Sequence, residues 1–127
     1  MGLALAAELN GYPGPLHVFE LSKELSLDKA QRERIEKLFA SMKAETIPLG
    51  ERLIALEAAL DHRFASRSIT QASLAATTNK IGDVQGSLRA AHLKYHLLTF
   101  DILTREQTAR YSTLRGYTRS RHDGSKH

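Results

Sequence analysis

The side chains best suited to chemistry in this sequence are His92 and His96. On a helix, two histidines four residues apart share a face, and their imidazoles can then chelate zinc or nickel. A third ligand is missing locally. Glu57, Asp61, His62 or a second copy of the chain could supply one only through tertiary structure. The plainer reading is that both histidines flank a packed interface, hydrogen-bonded or half exposed. His17, beside Pro15 and Val18, reads as structural, and His62-Arg63 as solvated surface near a turn. No cofactor is demanded; zinc or nickel is the candidate if the histidine pair is used.

Catalysis finds little support. Serines, histidines and aspartates are present, but none sits in a nucleophile elbow or a triad pattern. There is no glycine-rich phosphate loop, and the carboxylates are scattered over polar helix faces, so the expectation is a protein that is not an enzyme. The absence of cysteine excludes disulfides, thiolate metal sites and cysteine nucleophiles. A net charge of +4 favours acidic partners only weakly. The most basic stretch, Arg115 to Arg121, is diluted by Gly116, Thr118 and Ser120, so nucleic acid is not an expected partner. No stretch is long and apolar enough to span a bilayer. The run Leu3 to Ala7 is too short for the apolar core of a signal peptide. The chain is therefore cytosolic, or an export signal lies upstream of this sequence or has been removed.

The elements that must position these residues are helical. Of the 127 residues, 42% are hydrophobic, mostly Leu and Ala, and only 6% are aromatic. Met1 to Leu9 forms a short apolar helix, stopped by Asn10-Gly11. Tyr12-Pro13-Gly14-Pro15 makes a turn, and Pro15 opens a second helix that ends near Leu25. Asp28 caps the next, with Gln31 closing a capping box. Ile35, Leu38, Phe39, Met42, Leu49, Leu53, Leu56, Leu60 and Phe64 follow as a seam with coiled-coil-like spacing, in which Pro48 predicts a kink. Ser66 to Ser68 turns the chain and Thr70 caps a second long helix carrying Leu74, Ile81, Val84, Leu88, Ala91, Tyr95, Leu98 and Ile102. Leu93 to Leu103 is apolar nearly all round, which predicts burial on several sides, within the chain or at a dimer interface. Thr104 and Gln107 box the last helix, with Tyr111 and Leu114 facing inward and Gly116 ending it; residues 118–127 read as a disordered polar tail. The expected architecture is all-α: a long antiparallel helical hairpin flanked by short helices, a hooked four-helix arrangement in one domain over residues 1–117. Such a hairpin has little to pack against, and homodimerisation, or wrapping by the short helices, would cover it.

Two segments carry a resemblance. Leu27-Asp28-Lys29-Ala30-Gln31 opens the first long helix, and Leu103-Thr104-Arg105-Glu106-Gln107 opens the last. Each looks like an LTxxQ motif, with Asp28 in place of Thr in the first copy. Two copies separated by a helical hairpin resemble the periplasmic LTxxQ family of bacterial envelope-stress and metal-response proteins, which includes the CpxP and Spy chaperones. The resemblance spans roughly Pro15 to Tyr117. It implies export to the periplasm, a hooked hairpin, a dimer, and either ATP-independent binding of unfolded polypeptide or restraint of a membrane sensor protein. Leu27, Gln31, Leu103, Thr104 and Gln107 are the motif residues. Leu93, Leu97, Phe100, Arg110 and Arg115, with the seam residues Leu49 and Leu53, are the candidate client or partner surface. Some relatives bind zinc, nickel or cobalt, but their sensor-type ligand set is not carried over. Only His17 precedes the first motif, and Phe39, Tyr95 and Thr99 stand where those relatives place Glu, His and Met.

Overall fold

The computed structural model describes residues 4–117; the expected tail at 118–127 lies outside them. Five helices follow in order: α1 (Leu5–Leu9), α2 (Pro15–Glu20), α3 (Lys29–Ala65), α4 (Gln71–Ile102) and α5 (Arg105–Leu114). No strand occurs among the described residues, and α3 and α4 pack as the two arms of a helical hairpin with the short helices beside them. No described helix is long and apolar enough to cross a membrane.

Local sequence accounts for most of the boundaries. Asn10-Gly11 ends α1: Gly11 takes φ +85°, and the Tyr12 N–H returns to the Ala7 carbonyl at 2.9 Å, a C-terminal cap of Schellman type. Pro15 occupies the first turn of α2, where an amide hydrogen would have no partner. That helix ends at Glu20 rather than near Leu25. Residues 21–26 form turns, closed by the Leu27 N–H on the Ser22 carbonyl at 3.0 Å with Ser26 at φ +55°. The same device ends α3, where Ser68 N–H reaches the Arg63 carbonyl at 2.9 Å and Arg67 takes φ +57°. Thr70 caps α4 by accepting from the Ser73 amide at 3.0 Å. Pro48 sits inside α3, which continues through it.

Packing divides the chain into two compact units, one built from the described residues up to Met42 and from His92 onward, the other from Lys43–Ala91. In the first, Val18, Leu25, Ile35, Leu103 and Tyr111 form the core, with Phe19, Leu21, Leu27, Ile102 and Tyr117 packed against it. Of the motif leucines, Leu103 is thus a core residue and Leu27 packs against the core. Leu114 is a correction to the sequence reading: it is 39% exposed, and Tyr111 alone carries the inner face of α5 at full burial. The Leu93–Leu103 segment is buried on one side within the chain. Tyr95, Thr99 and Leu103 are buried, but Leu97, Leu98 and Phe100 lie on the surface of the chain.

The Lys43–Ala91 unit is a two-helix ribbon. Its buried residues are Ile81, Val84 and Ala91, all on α4. Leu49, Leu53, Leu56 and Leu60 of α3 are only half-buried, because a pair of helices has no third layer to close the seam.

Candidate functional site

The two motifs meet. Each forms a capping box of its own: Gln31 N–H donates to Asp28 Oδ1 (2.8 Å) while the Asp28 N–H donates to Gln31 Oε1 (3.0 Å). In the second box, Gln107 N–H donates to Thr104 Oγ1 (3.1 Å) and Thr104 N–H to Gln107 Oε1 (2.9 Å). The boxes then face each other across 76 residues of sequence. Gln31 Nε2 donates to Gln107 Oε1 at 2.8 Å, and Gln107 Nε2 donates to Gln31 Oε1 at 3.1 Å. Each Nε2 also donates to a backbone carbonyl at a chain reversal, Gln31 to Ile102 (3.1 Å) and Gln107 to Leu25 (3.2 Å). This reciprocal pair fixes the amide orientations. Each oxygen faces a backbone N–H and each nitrogen a carbonyl, so neither amide can flip without losing both. The arrangement ties the entry of α3 to the entry of α5. It is a structural clasp with no free group to do chemistry.

A second polar centre lies in the same unit and was not legible in the sequence. Glu8, on the apolar helix α1, is buried at 8% exposure. Its carboxylate accepts from the Tyr111 hydroxyl (2.9 and 3.0 Å), the Tyr117 hydroxyl (2.9 Å) and the Gly14 amide (2.9 Å). His96 Nδ1 stands 3.6 Å from its second oxygen. That same Nδ1 lies 2.7 Å from the Tyr12 carbonyl. A carbonyl can only accept, so Nδ1 carries a hydrogen. The other edge of the ring packs on Gly14, where an added Cβ would meet Cε1 and Nε2 at 2.9 Å. This explains the Pro-Gly-Pro turn: Gly14 leaves room for the imidazole, and its flanking prolines are buried. Burial, and then the Glu8 charge, push the Tyr111 hydroxyl well above its ordinary pKa of 10.0.

His92 lies one helical turn before His96, and both line a cavity of about 310 Å³ together with Glu8, His17 and Arg115. Burial, and then neighbouring His96, lower the His92 pKa below 6.5. The pair therefore shares a cavity wall as the i, i+4 spacing predicted. His96, however, has its Nδ1 committed to Tyr12 and its Nε2 edge turned onto Gly14. His17 pairs with Glu20 at 3.0 Å. Among the described residues, no group of three or more His, Asp or Glu side chains is gathered closely enough to hold a metal ion.

The candidate partner surface is dispersed. Leu97 is 56% exposed, while Phe100 stacks on Tyr12 with ring centroids 4.5 Å apart, and Leu93 is half-buried. Arg110 is turned to a structural use, donating from Nε to the Glu24 carbonyl at 2.8 Å. Arg115 leans on Tyr117, with Nη2 3.3 Å from its hydroxyl. The larger exposed apolar side chains that sequence reasoning missed are Ile47 and Ile54, which fall outside the seam of α3 and lie two turns apart on it. Comparison with protein-family models, with curated proteins and with solved structures yields no match to this chain.

Proposed function

We propose that this chain is a non-enzymatic helical binding protein of the LTxxQ type, working in the periplasm. It holds exposed apolar segments of other polypeptides on its hairpin without nucleotide. The observation that carries the reading is the Lys43–Ala91 ribbon. It buries three residues while leaving Ile47 54%, Ile54 71% and Phe64 54% exposed. Ile47 and Ile54 lie two turns apart on one face of α3, and exposed apolar side chains grouped on one face favour an apolar partner. The interleaved Lys43, Glu45, Glu51 and Arg52 keep such a surface soluble. The clasped motifs support the family part of the reading, because they give both LTxxQ segments one shared role.

The test is suppression of aggregation of a chemically denatured client at stoichiometric ratios, with the Ile47→Asp/Ile54→Asp variant beside the wild type. Protection by the wild type and its loss in a variant of unchanged helicity are expected. Absence of protection removes the chaperone reading. A second copy of the chain would also cover this stripe, so sedimentation at the assay concentration is measured alongside. Loss of a dimer without loss of protection separates the two uses.

A further inference from the structure

The cavity beside Glu8 has the chemistry of a ligand site. It lies within the unit that contains α1, α2 and α5, and its volume of about 310 Å³ sits at the small end of the range for small-molecule pockets. One part of its wall is aliphatic, made by Leu5, Leu16 and Met42. Leu5 is 50% and Leu16 36% exposed, so this wall is not consumed by the core. The other part is polar, made by Glu8, His92, His96 and Arg115.

The polar wall selects the sign of a ligand. Glu8 already accepts from two phenols and an amide, so it has little capacity left for a cation. Arg115 is the opposite case. Its side chain is exposed, its hydrogen-bond partner among the described residues is the neutral Tyr117 hydroxyl, and no salt bridge ties it to a described carboxylate, Glu8 acting on it only at longer range. Arg presents a planar fork of N–H donors matched to a carboxylate. His92 has no hydrogen-bond partner among the described residues and stays neutral at neutral pH, so it offers one further donor without opposing an anion.

We propose that this cavity binds an aliphatic monocarboxylate. Its head pairs with Arg115 and accepts from His92, and its chain lies on Leu5, Leu16 and Met42. The binding is separate from polypeptide capture on the Lys43–Ala91 ribbon.

Octanoate is the probe, titrated into the full chain by calorimetry and by amide chemical-shift mapping, with octan-1-ol and octylammonium as controls. Saturable one-to-one binding is expected for octanoate, at least tenfold tighter than for either control, with shifts at Leu5, Leu16, His92 and Arg115. Arg115→Gln, an exposed change, should weaken octanoate at least tenfold and leave octan-1-ol unchanged. Leu16→Lys should abolish both. Failure of octanoate to saturate, equal affinity for the three probes, or indifference to Arg115→Gln with shifts elsewhere would each overturn the proposal.

Discussion

The glutamine clasp predicts that Gln107→Glu destabilises the protein, although a capping box alone predicts the reverse. At the third position of an isolated helix, Glu closes the box as well as Gln does and adds a favourable interaction with the helix dipole, about 0.3–1 kcal/mol. Here the side-chain nitrogen of Gln107 donates to the Leu25 carbonyl at 3.2 Å and to Gln31 Oε1 at 3.1 Å. A carboxylate can donate to neither. Two net hydrogen bonds of about 0.5–1.5 kcal/mol each are lost, and two part-buried acceptors are left facing a charge. Gln31 cannot turn to relieve this, because its Oε1 also accepts from the Asp28 amide. With the dipole gain subtracted, the expected cost is about 1.4 kcal/mol at the middle of these ranges. In a domain of this size that lowers the melting temperature by about 4–8 °C. The assay is urea and thermal unfolding followed by circular dichroism, with Gln31→Glu as the mirror test. Acid should rescue the variant. A protonated carboxyl regains one donor, so its folded-state pKa is raised, and its deficit relative to wild type should shrink as pH falls through that raised value, the rescue being complete near the ordinary Glu pKa of about 4.3. A Gln107→Glu protein as stable as wild type at neutral pH would refute the clasp and leave two independent capping boxes.

Three further outcomes follow from named geometry. Gly14→Ala should cost about 1–3 kcal/mol in urea melts, because its Cβ would lie 2.9 Å from a His96 ring held by the Tyr12 carbonyl. Arg67→Gly should stabilise by about 0.5–1 kcal/mol, since Arg67 holds φ +57° at the hairpin turn; no gain in the unfolding midpoint would refute it. The raised pKa of Tyr111 makes the folded state hold a proton that the unfolded chain releases above pH 10.0. Stability should therefore be intact below that pH and fall above it at up to about 1.4 kcal/mol per unit. Tyr111→Phe should be less stable at neutral pH but show a shallower alkaline loss.

How much was legible in the sequence divides along a physical line. Helix existence, the caps at Asp28, Thr70 and Thr104, and the hairpin turn were readable because each is decided within a few residues. The boundary near Leu25 was missed because the Ser26 turn depends on a non-glycine residue at positive φ, which composition does not announce. Leu114 was misplaced because α5 is short and packs one side chain deeply rather than a stripe. The histidine pair was found at its correct spacing. What each imidazole does was hidden, because the partners of His96, Tyr12 and Gly14, are more than eighty residues away in sequence.

The two polar centres show why such partners stay hidden. A glutamine at the third helical position satisfies its local box so well that nothing in the sequence asks for another role. Glu8 is the opposite signal, a lone carboxylate in an apolar helix whose one nearby donor is the Gly14 amide of the following turn. Burial of an unpaired carboxylate is costly, so its position demands donors from elsewhere. The described chain supplies them at Tyr111 and Tyr117, both on the far side of the hairpin in sequence. The clasp joins the entries of α3 and α5, and the Glu8 centre joins α1 to α5 and the Pro-Gly-Pro turn. Together they hold the first unit by polar bonds at several points, whereas the Lys43–Ala91 ribbon buries only Ile81, Val84 and Ala91. The part proposed to bind polypeptide is thus the part with the thinner core, without a buried cluster like that of Val18, Leu25, Ile35, Leu103 and Tyr111.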